Sequence, residues 1–273
     1  TYCHMLGING GMYTYLAERP QGPLRWAEKN AALLTSGDDA SATGARYTYF
    51  ARFFHAPDGL LVNHHSIGRD GQVYFGLLKR AVFDDEGTFR LGWWDGNDAL
   101  KEHSVEISQP PQVDGSTPRM IEQTLDAANG FVMECTLTVP SDGDESAGLY
   151  IETGEGLDSA ILVGPGAATD LGTMRADGGG FQSESRVDRE YPFDRTVPLR
   201  LVLKRDLLEF YLDDILVQCY SLPTAATGKL GLIGSVTDVV AWKWRRRGEC
   251  PWPRRTGGAR KCPIAMLRSC AIT

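Results

Sequence analysis

Six polar side chains stand inside otherwise apolar runs in the first quarter of the chain: His4, Asn9, Arg52, Asn63, His64 and His65. Imidazole, amide and guanidinium groups in such a setting bind polyhydroxylated ligands through directed hydrogen bonds. None of the six is an acid or a nucleophile. His64 and His65 are neighbours, and neighbours on a strand point to opposite sides, so at most one faces a common pocket. The plainer alternative for both is a packed or solvated histidine. Trp93-Trp94 offers flat apolar area with a polar edge, the surface that stacks on a pyranose or furanose face. Alternation again leaves one of the two as an anchor between modules.

Other chemistry is less well supported. Glu152, Glu155 and Asp158 form a carboxylate group without the regular ligand spacing of a calcium loop, so a solvated loop is expected and no metal site. Gly164-Pro165-Gly166 and Gly178-Gly179-Gly180 are followed by neither Lys-Ser/Thr nor a helical pattern, which makes them turns rather than phosphate cradles. No Gly-x-Ser-x-Gly occurs, so a serine hydrolase elbow is unsupported. No cofactor is expected.

The elements that position these residues are read from periodicity. Helical spacing is nearly absent, while short alternating or apolar runs bounded by Gly, Pro, Asn and Asp recur, which predicts an all-β chain: a partial β-propeller followed by a two-sheet β-sandwich. The segment 1–76 repeats strand, Pro/Gly turn, strand, as the terminal blades of a propeller would; two blades cannot close a ring, so an incomplete propeller is expected. Residues 77–118 hold a connecting hairpin, Leu77–Phe83 and Thr88–Trp94 around Asp84-Asp85-Glu86-Gly87, then a helical turn over Asn97–Glu102 with Asn97 or Asp98 to cap it, then a linker through Pro110-Pro111. Residues 119–244 alternate as one sandwich does, with a second hairpin turning at Asp213-Asp214. Its aromatics, Phe210, Tyr211 and Tyr220, are expected in packing.

The chain has 273 residues, 42% hydrophobic and 23% charged, with 28 Lys and Arg against 35 Asp and Glu. Eight of those basic residues and one acid fall in 245–273, leaving 20 basic against 34 acidic residues in 1–244. Such an acidic body does not suit nucleic acid as a partner, and no apolar run approaches the roughly 18 residues of a membrane helix. The basic stretch 245–273 holds three of the six cysteines, Cys250, Cys262 and Cys270, without a histidine or a zinc-like spacing. It is expected to be a disordered or non-native tail. The opening Thr1-Tyr2-Cys3-His4 has neither an initiator Met nor a signal-peptide pattern and reads as cut from something longer. Cys135 and Cys219 fall in apolar strand patterns, as small core residues.

The segment Leu78-Lys79-Arg80-Ala81-Val82-Phe83-Asp84-Asp85-Glu86-Gly87-Thr88-Phe89-Arg90-Leu91, in this order of modules, resembles the propeller-to-sandwich connection of glycoside hydrolase family 32, the β-fructofuranosidase, inulinase and levanase group. Lys79 stands where that family usually has Pro. Met12–Ala17 with Gly22-Pro23-Leu24-Arg25 is also similar to blade strands of the family 43 arabinosidases and xylosidases. The resemblance implies a retaining mechanism with two carboxyl groups about 5–5.5 Å apart. It implies a nucleophile in Asn-Asp-Pro, a stabilising Asp in Arg-Asp-Pro and an acid in Glu-Cys. Here Asn97-Asp98 is followed by Ala99, Arg69-Asp70 by Gly71 and Arg205-Asp206 by Leu207. Glu134-Cys135 falls in a sandwich strand pattern and Glu249-Cys250 in the basic tail, so neither sits in a blade.

The resemblance therefore implies a fragment of a β-fructoside hydrolase whose catalytic carboxylates lie ahead of Thr1. Its partner would be a carbohydrate, bound near His4, Asn9, Arg52, Asn63, His64, His65, Trp93 and Trp94. The alternative is a non-catalytic carbohydrate-binding β-sandwich.

Overall fold

The computed structural model describes residues 2–8, 11–26, 32–35, 48–67, 71–83, 89–108, 110, 117–141, 145–154, 157–187 and 195–245. Their regular secondary structure is strand, apart from two 3-10 turns. In chain order these are β1 (Tyr2–Ile8), β2 (Gly11–Ala17), β3 (Arg25–Trp26), β4 (Ala32–Thr35), β5 (Thr48–Ala56), β6 (Gly59–Ile67) and β7 (Val73–Phe75). Then come β8 (Lys79–Phe83), β9 (Phe89–Trp93), β10 (Lys101–Glu106), β11 (Arg119–Met120), β12 (Phe131–Thr138), β13 (Ala147–Ile151) and β14 (Asp158–Val163). The last are β15 (Thr169–Met174), β16 (Gln182–Val187), β17 (Thr196–Lys204), β18 (Leu207–Leu212), β19 (Ile215–Ser221), β20 (Leu230–Ile233) and β21 (Val236–Trp244).

The sandwich follows from alternation. In β12, Phe131, Met133, Cys135 and Leu137 point into one core, where they meet Leu199 and Leu201 of β17, Leu149 and Ile151 of β13, and Leu230 and Leu232 of β20. The first sheet runs β10-β21-β12-β17-β18-β19-β9-β8-β6-β5, with β7 on β6; the second runs β11-β20-β13-β14-β15-β16. The dry layer between them is the main core of the molecule. Residues one step out of phase face the opposite sides: Tyr150 joins Ala160 and Met174 on the back of the second sheet, and Val132 packs on the back of the first. A separate four-stranded sheet is formed by β1, β2, β3 and β4.

The first sheet changes character at β9. Only Ile215 and Gly92 pair β19 with β9, whereas β8 and β9 are matched over five pairs. With so few ladder bonds, side-chain packing holds the β5–β9 segment to the sandwich. Val62, Phe89, Leu91 and Trp93 lie against Val132, Val202, Tyr211, Leu216 and Cys219, all buried.

Two local expectations are refined. The helical turn is a 3-10 turn over Asp95–Leu100, and Lys101 and Glu102 already belong to β10. No side chain caps it; Asn97 is buried and its Nδ2 donates to Leu78 O at 2.8 Å, so a tertiary acceptor takes the amide a cap would have used. The Asp213-Asp214 hairpin forms with both residues left-handed, φ 52° and 59°, the type I′ geometry that matches strand twist. Arg195 and Arg200 donate to the two carboxylates. The turn Asp84–Thr88, the linker residues 111–116 and the stretch 246–273 lie outside the described residues.

Candidate functional site

Registry builds one buried polar cluster. Val62 pairs with Lys79, and His64 lies two residues on, on the same face of β6. Across the packing layer, Glu209 on β18 pairs with Cys219 on β19, with Tyr211 two residues beyond. The two pairs meet face to face. Lys79 is 0% exposed, His64 1%, Cys219 3% and Glu209 7%.

Donors and acceptors balance. The three protons of the Lys79 ammonium go to Glu209 Oε1 at 2.5 Å, Leu77 O at 2.8 Å and His64 Nδ1 at 3.1 Å. Since Nδ1 accepts from an ammonium, the neutral ring carries its proton on Nε2, which points at Cys219 Sγ, 3.0 Å away. Glu209 also accepts from Leu77 N–H at 3.1 Å and from Tyr211 O–H at 2.6 Å. Burial, then the charge of Lys79, holds the His64 imidazole well below its usual range. Burial and then the charge of Glu209 push the Tyr211 phenol well above its own. Gly76 closes the wall: a Cβ there would lie 2.3 Å from His64 Cε1 and 2.6 Å from Glu209 Oε1.

The ligand atoms of His64, Glu209 and Cys219 lie within 4.8 Å of one another, a donor set of the kind transition metals use. The resident cation is already present in Lys79, and it fixes the His64 tautomer that would block a metal at Nε2. The arrangement does not fit a metal; it fits a closed electrostatic pin between two β layers.

The remaining sequence candidates are dispersed. Asn63 is buried and donates from Nδ2 to Gly76 O at 2.6 Å, so it braces the same loop. Arg52, opposite Asn63 on β5, is exposed and lies 5.9 Å from the centre of the Phe75 ring. His65 is half-buried, and burial followed by the charge of Arg52 lowers its affinity for protons. His4 lies in β1 opposite Tyr15, and Asn9 lies outside the described residues. Trp93 is an anchor, packed edge-on to Tyr211 with ring centres 5.4 Å apart and covered by the Arg200 guanidinium at 4.1 Å. Trp94 is half-buried, and its Nε1–H donates to Asp58 Oδ2 at 3.0 Å. That bond, helped by Arg80, lowers the Asp58 carboxyl below its usual range.

The structure therefore joins Asn63, His64 and, through Tyr211, Trp93. It adds four residues the sequence did not single out as a site: Lys79, Glu209, Tyr211 and Cys219. One signal was available, since Lys79 and Glu209 are charges inside apolar runs, Leu77-Leu78-Lys79 and Leu207-Leu208-Glu209-Phe210.

Other carboxylates have structural partners. Glu134 Oε1 accepts from Arg200 Nε at 2.7 Å and Lys101 Nζ at 2.6 Å, while Cys135 beside it faces the core. Asp158 accepts from Thr153 N–H at 2.7 Å and from the Tyr150 hydroxyl. Glu152 receives Thr227 Oγ1 at 3.0 Å, and Glu155 lies outside the described residues.

No family model matches the sequence, and no curated protein matches it either. Solved structures do match in shape. Fructan 1-exohydrolase IIa from Cichorium intybus, in complex with 1-kestose, superposes with a TM-score of 0.56 at 10% identity, over 88% of this chain and 56% of that one. A family 32 β-fructofuranosidase from Bombyx mori gives 0.56 at 14% identity, over 86% and 47%. The glycerol complex of the Aspergillus kawachii β-fructofuranosidase gives 0.54 at 13%, over 90% and 52%. The chain is similar in fold to family 32 enzymes. The family 32 likeness runs through most of this chain, which spans about half the length of the structures it matches. No helix among the described residues is long and apolar enough to cross a membrane.

Proposed function

We propose that this chain is part of a glycoside hydrolase of the β-fructofuranosidase type, acting on β-fructosides such as sucrose, inulin or levan. The observation that carries the reading is the shared fold with β-fructosidases over most of the chain and only about half of theirs. The missing half has a chemical counterpart. Hydrolysis with retention needs two carboxyl groups in fixed opposition, yet neither Asn-Asp-Pro nor Arg-Asp-Pro occurs in the 273 residues. Glu134 is engaged by two cations, and Glu209 is sealed in the buried pin. The reacting carboxylates accordingly lie ahead of Thr1, residues 1–76 complete the propeller side, and 119–244 form the supporting sandwich. Arg52, His65 and Trp94, which the buried cluster leaves out, are the described candidates for reaching a sugar.

The test is fructose release from sucrose, inulin and levan. The 273-residue chain is expected to release none, and the protein extended ahead of Thr1 is expected to release it. Release by the chain itself would overturn the placement of the carboxylates. Silence of the extended protein on all three substrates would overturn the substrate class.

A further inference from the structure

We propose that the His64–Lys79–Glu209–Cys219 cluster is an acid-operated latch: it binds β6 and β8 to the sandwich while His64 is neutral and releases them when His64 takes up a proton. The case rests on the donor count. Lys79 has three protons and three acceptors, one of which is His64 Nδ1 at 3.1 Å. Protonation turns that acceptor into a donor, so N–H would face N–H and cation would face cation between two side chains buried from solvent. Among the described residues, the groups around the ring offer no relief. From β18, Glu209 Oε1 lies 3.7 Å from Nε2 but already receives Lys79 and Leu77 N–H, and its other oxygen receives Tyr211. From β19 comes only the Cys219 thiol, and on β6 itself His65 is a further basic group, with Arg52 of β5 beside it. Arg200 of β17 adds positive charge near Tyr211. One carboxylate cannot neutralise two buried cations, and the single Ile215–Gly92 pair between β9 and β19 leaves little ladder to resist opening.

The sign follows from linkage. His64 is held below its usual range when folded and returns to about 6.5 when exposed, so the open form binds more protons. The latch is complete above about pH 6.5. Below it, the opening constant rises up to about tenfold per pH unit until the buried ring titrates.

Hydrogen exchange of the 273-residue chain at pH 7.5 and 5.0, corrected for intrinsic rates, tests this. Amides in Leu60–Val62 and Lys79–Val82 are expected to lose protection by up to about 30-fold, while those of β13 and β14 keep theirs. His64→Gln, which can accept from Lys79 and donate to Cys219 without titrating, is expected to abolish the response. Equal protection at both pH values, or the same acid response in His64→Gln, would overturn the proposal. Should His64→Gln not fold, a chain with His4, His55, His65 and His103 each changed to Gln must keep the response; its loss there would equally overturn the latch.

Discussion

Lys79 is the residue on which most of the buried chemistry converges, because an ammonium at 0% exposure survives only with every proton accepted. Lys79→Met is expected to destabilise the chain by about 3–5 kcal/mol in urea titrations, since it strands the Glu209 carboxylate in a dry site. Adding Glu209→Leu should recover a large part of that loss, as a double-mutant cycle would show. The thiols give a second test. Burial pushes the Cys135 thiol far above its ordinary range, and thiolate is the reactive form. At pH 8, mass spectrometry should find Cys135 unmodified by iodoacetamide in the folded chain and modified in urea. Spacing in the sequence marked Cys135 and Cys219 as small core residues. It marked His64 as packed or pocket-facing, but not the hydrogen bonds around it, because their partners, Lys79 and Cys219, lie 15 and 155 residues away on other strands.

At the level of elements, turns were more legible than side-chain roles. The Asp213-Asp214 hairpin announced itself by polarity between two apolar runs, although both residues take left-handed φ without glycine. Gly228 shows the other case. It sits at φ +93° with its would-be Cβ 1.9 Å from Leu125 O, so Gly228→Ala meets both backbone strain and a carbonyl that cannot yield. A loss of about 2 kcal/mol or more is expected, read as a lowered thermal midpoint. Trp93 and Trp94 illustrate what alternation can and cannot say. Opposite faces were predicted; that Trp93 anchors the layer against Tyr211 while Trp94 binds Asp58 depends on the partners.

For the whole molecule, the closing strand β21 sets a boundary. Trp244 N–H donates to Gly130 O at 3.0 Å and Arg245 N–H to Leu100 O at 2.9 Å, which ties the end of β21 to the residues just ahead of β12 and β10. A chain ending at Arg245 is expected to keep its melting temperature within about 2 °C, since it retains every described strand and core residue of the sandwich; a larger drop in calorimetry would show that residues 246–273 support the fold. The sequence by itself determined the all-β class, the two-sheet sandwich and its principal hairpins, because period-two alternation and turn chemistry are local and survive without knowledge of partners. The absence of the expected carboxylate motifs was likewise plain in the sequence. Only the tertiary structure decided that His64, Lys79, Glu209, Tyr211 and Cys219 form one closed cluster, and that Asn63 braces it while Arg52 stays outside. Those assignments depend on which strand faces which across a packing layer, and hydrophobic patterning specifies the buried side of each strand without naming its neighbour.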